Sequence, residues 1–186
     1  MKIYSTYKVK IKKNNRVFKD TIDKYRGAVE YLLNICDLNW NDISAVDGRE
    51  RLNYIESLIH ITENNPSPKY DFDNHFYKFP SYLRRAAINE ALGKISSYRS
   101  NLENWKTNPS GKKPSFPRVG FAYPSMYRNV MYKANGLYEA RVKVYIRNTW
   151  DWLTIKLKKT DIDYIERHCT NCKECSPTLR KRGKEW

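Results

Sequence analysis

His168, Cys169, Cys172 and Cys175 form the most compact group of potential metal ligands in the sequence. Thiolates at this spacing can bind zinc or an iron–sulfur cluster. A structural zinc site usually takes a second ligand pair from a distant part of the chain, and the sequence offers no such pair. The favoured interpretation is therefore free thiols in a loop, with a metal or redox module on Cys169–Cys175 as an alternative function.

Two groups of carboxylates are the candidates for catalysis. They are Asp71 and Asp73 with His75, and Asp161 and Asp163 with Glu166. A two-metal nuclease gathers its carboxylates from several separate strands, and neither group has that distribution. The sequence also lacks the GxSxG, HExxH and P-loop motifs. The prediction is that this chain alone is not an enzyme and holds no cofactor.

Two alternating stretches, 138–147 and 152–158, carry cations and aromatic rings on one face and apolar side chains on the other. Lysines and arginines neutralise phosphates, and exposed rings stack on unpaired bases. The pattern predicts a nucleic-acid-binding strand face, and an ordinary solvated strand face is the alternative. The predicted face consists of Arg141, Lys143, Tyr145, Arg147, Trp152, Lys156 and Lys158, with Lys8 and Lys10 on a first strand.

Arg84 and Arg85 stand at the start of a long predicted helix, with Asn89 one turn further on. Cations at a helix N-terminus oppose the helix dipole, so local stability does not explain them. Arginine and asparagine bind guanine and adenine edges in the DNA major groove. Because Arg85 and Asn89 are four residues apart, we expect them to approach a duplex together. Arg84 turns toward the packed side and contacts phosphate or pairs with an acid. Salt bridges within the fold are the alternative for the whole group.

The helices that position these residues follow from apolar side chains three or four residues apart. The predicted helices run from Arg16 to Cys36, from an Asp47 cap to Ile59, and from Pro80 or Ser81 to Trp105. The stretch 106–120 then interrupts all periodicity with three prolines and two glycines, which indicates a linker.

The rest of the chain alternates with the period of two that is typical of strands. The predicted strands are 2–12, 127–133, 138–147, 152–158 and 178–182. Ala134-Asn135-Gly136 predicts a hairpin connection, and Arg182-Gly183 predicts another tight turn. A short helix capped by Thr160 or Asp161 is expected to end at His168.

The charge of the chain indicates the class of its partner. The 186 residues include 35 Lys and Arg against 20 Asp and Glu, a formal net charge of +15. Residues 1–13 hold five lysines and no acid, 14–105 hold 12 basic and 13 acidic side chains, and 106–186 hold 18 and 7. The excess lies at the two ends, which favours a polyanion such as nucleic acid over a merely soluble basic surface.

Together these patterns predict an α+β fold, in which a small basic antiparallel β-barrel or sheet is interrupted after its first strand by a helical domain. The basic domain is expected to comprise residues 1–13 and 115–186, and the helical domain residues 14–114 with its Pro- and Gly-rich exit linker. No run of about 18 apolar residues and no signal peptide is present, which predicts a cytoplasmic protein without a membrane partner.

Five segments occur in a characteristic order: FPSYLRRAAINEALGKISSYRSNLENW, GKKPSFP, YRNVMYK, VKVYIRNTWDWLTIKLK and SPTLRKRGKEW. This order resembles the N-terminal half of TnpB (OrfB) proteins, which bacterial insertion sequences encode and which are related to type V CRISPR effectors. The resemblance implies a β wedge domain split by a helical recognition domain. It also implies that LRKRGKEW is a junction, because family members continue into a RuvC-like nuclease domain with three metal-binding carboxylates.

The resemblance further implies a function in RNA-guided DNA cleavage, often described as transposase activity. The wedge would hold a guide RNA, and a short motif beside the target would be read in double-stranded DNA. By motif order the residues implicated are Arg84, Arg85, Asn89, Tyr123, Ser125, Tyr127, Arg128 and Asn129. The prediction for this chain is the nucleic-acid-binding part, with Mg²⁺ required only by the nuclease domain. A self-standing, nuclease-free RNA- or DNA-binding regulator is the alternative.

Overall fold

The chain folds into two compact units, Met1–Ile22 with Ser125–Trp186 and Asp23–Pro124, hereafter the basic unit and the helical unit. The computed structural model describes residues 5–12, 15–109, 111–169 and 172–186. Both boundaries lie later in the chain than the sequence predicted. The basic unit carries 21 Lys and Arg against 8 Asp and Glu, net +13, and the helical unit 14 against 12, net +2. The assignment of these units as wedge and recognition domains stays a prediction.

A four-stranded antiparallel sheet in the order β1-β4-β3-β2 forms the basic unit. The strands are Ile11–Lys12 (β1), Tyr132–Ala134 (β2), Glu139–Ile146 (β3) and Thr149–Leu157 (β4). The predicted α+β class and antiparallel sheet are confirmed, and the predicted barrel is wrong. Within the described residues β1 and β2 are the two edges, and strands of two and three residues are too short to close a barrel.

The two long strands bury one face and leave the other accessible, as their alternation predicts. Ala140, Val142 and Val144 are buried on β3, and Ile155 lies opposite Ala140 on β4. In the same unit the ring of Phe18 lies 5.4 Å from the ring of Trp186, and both are buried. This core fixes the register of the sheet, because a slip of one residue would turn the apolar set toward solvent.

Two hairpin loops set the sheet register. The β2–β3 hairpin is confirmed, and its loop takes residues 135–138, with Gly136 at φ 85°. The β3–β4 loop is Arg147-Asn148, where φ is 51° and 60°. Positive φ at both residues is the conformation of a type I′ turn. The prediction that Arg147 lies on a strand face is therefore wrong.

Six helices occur in the described residues. They are Asn15–Leu38 (α1), Trp40–Ala45 (α2), Arg51–Ile59 (α3), Phe72–His75 (α4), Ser81–Thr107 (α5) and Lys159–His168 (α6). The four predicted helices are confirmed, whereas α2 and α4 are too short to show a stripe. Asp47 caps the turn that leads into α3, where its carboxylate accepts the backbone N–H of Arg49 and its carbonyl accepts that of Arg51, and Glu50 directly precedes the helix. Lys158 is the N-cap of α6, so Thr160 and Asp161 lie inside that helix.

Three predicted strands are wrong in extent. Over 5–10 the chain forms no regular strand, so the first strand is reduced to β1, while residues 2–4 lie outside the described residues. In 127–133 the carbonyl of Tyr127 accepts the N–H groups of residues 130, 131 and 132, which makes a turn before β2. The stretch 178–182 forms only the isolated bridges of Thr178 with Ser125 and of Arg182 with Glu185.

Candidate nucleic-acid interface

The accessible face of the sheet brings together several of the predicted cations. In the β3–β4 register, Arg141 is opposite Thr154, Lys143 is opposite Trp152, and Lys156 is opposite Glu139. Directly opposed residues of an antiparallel pair point to the same side of the sheet. We call the set Lys133, Arg141, Lys143, Trp152 and Lys156 the outer face. It combines four cations with one half-buried ring.

Trp152 is the centre of the outer face. Its ring lies 5.0 Å from Nζ of Lys133 and 5.5 Å from Cζ of Arg141. These distances are in the range of cation–π attraction. Sequence reasoning missed Lys133, although the Asn135-Gly136 hairpin was a signal for it. With the four-residue loop, β2 pairs Lys133 with Arg141, which places it beside the ring.

Two predicted members of the face have other surroundings. The ring of Tyr145 packs 5.7 Å from the buried ring of Trp150, and the Tyr145 backbone N–H donates to Oγ1 of Thr21. Arg147 is exposed, but in the β3–β4 turn. Trp152 is therefore the ring that lies beside the cations, and Tyr145 lies beside Trp150.

Lys158, Lys8 and Lys10 belong to a second basic site in the same unit. A pocket of about 460 Å³ is lined by Lys10, Ile11, Lys12, Lys158, Lys159, Thr160, Lys184, Glu185 and Trp186. Glu185 accepts from Nζ of Lys8 at 2.9 Å and from Nζ of Lys10 at 2.5 Å. These hydrogen bonds lower the pKa of the Glu185 carboxyl to about 2. The predicted strand face is thus divided between the outer face and this lysine pocket.

The turn at residues 182–185 positions Glu185 against the lysines. Gly183 has φ 62°, and the backbone groups of Arg182 and Glu185 bond each other at 2.9 and 3.1 Å. The tight turn predicted from Arg182-Gly183 is confirmed. The carbonyl of Trp186 then accepts the N–H of Ile11 at 2.8 Å, which holds this segment along β1.

The predicted 123–129 stretch is divided between the two units. In the helical unit the guanidinium of Arg26 lies 4.9 Å from the Tyr123 ring. In the basic unit Ser125 bridges Thr178, and the guanidinium of Arg128 pairs with Glu174 and lies 5.5 Å from a tyrosine ring. Tyr127 is half-buried, whereas Asn129 is exposed with φ 66°. Asn129 is the more accessible of the two for a contact outside the chain.

The start of α5 separates its two arginines. Arg84 is 6% exposed, with Nε 3.4 Å from a carboxylate oxygen of Glu56 and Nη1 4.0 Å from one of Asp73. Pairing with an acid, the second role predicted for Arg84, is confirmed, and burial removes it from the nucleic-acid surface. Arg85 and Asn89 are exposed one turn apart. Asn89 also lines a groove of about 520 Å³ in the helical unit.

The candidate catalytic and metal-ligating groups are held by other contacts. Asp73 accepts from His60 at 2.7 Å, Asp161 accepts the N–H of Lys10, and Asp163 accepts the hydroxyl of Tyr138. Cys169, Cys172 and Cys175 are free thiols. Within 5–12, 15–109, 111–169 and 172–186, no group of three or more His, Cys, Asp or Glu side chains is arranged to hold a metal ion.

Comparison with known proteins gives a family and one relative. A model described as the Aq_aa04 family matches residues 5–146. Uncharacterized protein aq_aa04 of Aquifex aeolicus (strain VF5) is 36% identical over 85 residues, which are 43% of this chain and 46% of the relative. The match thus spans less than half the length of that protein. No solved structure matches the chain. Among the described helices, none is long and apolar enough to cross a membrane.

Proposed function

The chain belongs to the Aq_aa04 family, and we propose that it binds RNA through the outer face of its basic unit. The observation that carries the proposal is the placement of Lys133 and Arg141 against the ring of Trp152, with Lys143 opposite it and Lys156 further along the same face of β4. Cations neutralise phosphates, and a half-exposed indole between them provides a surface on which an unpaired base stacks. The net charge of +13 on this unit attracts the polyanion from a distance.

The finer proposal is that the RNA is a guide and that the chain is the nucleic-acid-binding part of a TnpB-like, RNA-guided DNA endonuclease. It rests on the resemblance in segment order, and the α+β organisation around a basic sheet supports it. Arg85 and Asn89 then approach a target-adjacent DNA motif, because both are exposed on one turn of α5. In a randomised-motif selection, Arg85→Ala is expected to reduce the preference for one base over the others, at one position of the DNA motif, by about 1–3 kcal/mol.

Salt-dependent RNA binding tests the outer face. The variant Lys133→Ala, Arg141→Ala, Lys143→Ala, Lys156→Ala removes four cations that are expected to contact phosphates. Each lost contact reduces the slope of log K against log salt by about 0.7 to 0.9, so the slope should fall by about 3. Fluorescence anisotropy of a labelled structured RNA, measured across a salt series, gives both slopes.

A matched control separates local contacts from net charge. The variant Lys24→Ala, Lys69→Ala, Lys78→Ala, Lys94→Ala removes the same charge from the helical unit. We expect it to bind with nearly the slope of the unmodified protein. An outer-face variant whose slope equals that of the control would reject this face as the RNA-binding surface.

A further inference from the structure

The lysine pocket has a composition that the outer face does not share. Five lysines line it, from β1 (Lys12) and the residue before β1 (Lys10), from the start of α6 (Lys158, Lys159), and from the 182–185 turn (Lys184). Glu185 is the single acidic side chain in the lining. Lysines converging from three parts of one unit repel one another, so their grouping calls for an anion between them.

The carboxylate of Glu185 neutralises only part of the positive charge of these lysines. It binds Nζ of Lys10 and, beside the pocket, Nζ of Lys8. Lys158 is 3.6 Å from an oxygen of Asp161, and Lys159 lies over the ring of Tyr138. Lys12 and Lys184 are exposed and form no ion pair with any described residue. The pocket therefore holds more positive charge than its own carboxylates neutralise.

Trp186 limits what the ligand can be. It lines the pocket, yet it is 6% exposed and packs against Phe18. A ring covered to this extent leaves little face on which a base could stack. Its indole Nε1 is buried and has no hydrogen-bond partner among the described residues. The pocket is thus suited to a group recognised by charge and hydrogen bonding, not to a flat base.

We propose that the lysine pocket binds an oligophosphate. Its phosphates replace the Glu185 carboxylate as the partner of Lys8 and Lys10, and they also bind Lys12 and Lys184. Lysine binds phosphate as a point charge without the planar fork with which arginine holds carboxylates. A volume of about 460 Å³ has room for several linked phosphates. Two kinds of molecule carry such linked phosphates, an RNA with a 5′-triphosphate and a free polyphosphate chain. Lys12 of this pocket is opposite Lys156 of the outer face in the β1–β4 pair, so the two sites adjoin, but the proposal rests on the residues of the pocket alone.

Titration with inorganic tripolyphosphate in a calorimeter tests the pocket directly. We expect saturable binding with one ligand per chain. The variant Lys12→Ala, Lys184→Ala should weaken it at least tenfold, while circular dichroism shows an unchanged fold because both side chains are exposed. Glu185→Gln should tighten it several-fold, since the competing carboxylate is removed. The matched control Arg141→Ala, Lys143→Ala loses the same charge from the outer face and should leave the affinity within twofold.

Two RNAs of one sequence then identify the source of the phosphates. If a 5′-triphosphate RNA binds more tightly than the 5′-hydroxyl RNA, and the difference disappears in Lys12→Ala, Lys184→Ala, the ligand is an RNA end. If both RNAs bind equally while tripolyphosphate still saturates the pocket, the ligand is a free polyphosphate. Absence of saturable tripolyphosphate binding, or equal losses in the pocket and outer-face variants, would overturn the proposal.

Discussion

Arg84 and Arg85 are adjacent in the sequence, yet α5 gives their guanidinium groups opposite surroundings. The side chain of Arg84 is 8% exposed beside the carboxylates of Glu56 and Asp73, while Arg85 is exposed. A 100° step along a helix is enough to change a residue from part of the ion-pair network of a unit to part of its surface. The two arginines therefore make a matched pair for experiment.

Arg84→Ala is expected to lower the free energy of unfolding by about 3 kcal/mol, because it leaves the partly buried carboxylate of Glu56 without its cation and removes a second positive charge near Asp73. Arg85→Ala changes the same atoms at an exposed position and should stay within about 0.5 kcal/mol. Urea denaturation followed by circular dichroism measures both. Equal losses in the two variants would show that the Arg84 ion pairs contribute nothing specific.

Glu185 gives a pH-dependent prediction. Bonds from Lys10 and Lys8 lower the pKa of its carboxyl from an ordinary 4.5 to about 2, so its ionised form is favoured in the folded state. The stability that Glu185 contributes is then fully present above pH 4.5 and is lost as the pH falls toward 2. In denaturation series from pH 7 to pH 2, the free energy of unfolding of the unmodified protein should be larger than that of Glu185→Gln at neutral pH. The two values should approach each other near pH 2. A difference that stays constant down to pH 2 contradicts the assignment.

At the scale of elements, the β3–β4 hairpin depends on an unusual turn. Arg147 and Asn148 both have positive φ, which asparagine tolerates and arginine does not favour. The turn is retained because the eight residue pairs of the β3–β4 ladder fix the distance and twist between the strands. The strain is therefore local to residue 147.

Arg147→Gly should raise the free energy of unfolding by up to about 1 kcal/mol, since glycine adopts positive φ without steric cost. Arg147→Ala is the control, because it removes the same charge but retains a Cβ in the left-handed region. Thermal unfolding of the two variants compares them directly. If alanine stabilises as much as glycine, the gain comes from charge and not from the backbone.

Sequence periodicity predicted the long elements better than the short ones. The apolar stripe of Phe18, Ile22 and Tyr25 correctly predicted α1, because a helix buries one continuous face only when its apolar residues are three or four apart. The alternation in 2–12 did not give a full strand, because Ser5 and Tyr7, expected inside, are exposed and make too little apolar surface to order it. Edge strands of two or three residues depend on their neighbours, which no local pattern specifies.

The candidate site was predictable in residue type and less so in position. Alternation placed Arg141 and Lys143 correctly on the accessible face of β3. Lys133 and Lys184 were missed, because their places depend on a loop length and on a turn that folds back along β1. Pairing across distant parts of the chain determines such positions, and a single sequence does not record it.

At the scale of the whole molecule, charge is concentrated in one compact unit. A difference of +13 against +2 means that the two units attract a polyanion unequally. The helical unit presents Arg85 and Asn89 for specific contacts with bases. Its low net charge gives it little non-specific attraction for a polyanion. Binding of RNA and reading of a DNA motif are thereby assigned to different parts of the chain under the proposed function.

Hydrogen–deuterium exchange with and without structured RNA tests this division. We expect RNA to slow amide exchange mainly in peptides from 125–186, which contain β3, β4 and six of the nine residues that line the lysine pocket. Peptides from 23–124 should change little in the absence of target DNA. Protection confined to 23–124 would instead place the RNA on the helical unit.

The pairing of Ile11 with Trp186 has a consequence for the behaviour of the protein in solution. β1 is an edge strand, and among the described residues its far side is covered by one backbone hydrogen bond, from Ile11 N–H to the Trp186 carbonyl. Exposed strand edges pair with other molecules and lead to aggregation, and charged lysines along an edge oppose this. Lys12 lies in this edge strand, and Lys8 and Lys10 lie in the segment before it. The side chains that attract phosphate therefore also repel other molecules of the protein. Neutralising them by substitution should lower the solubility of the chain.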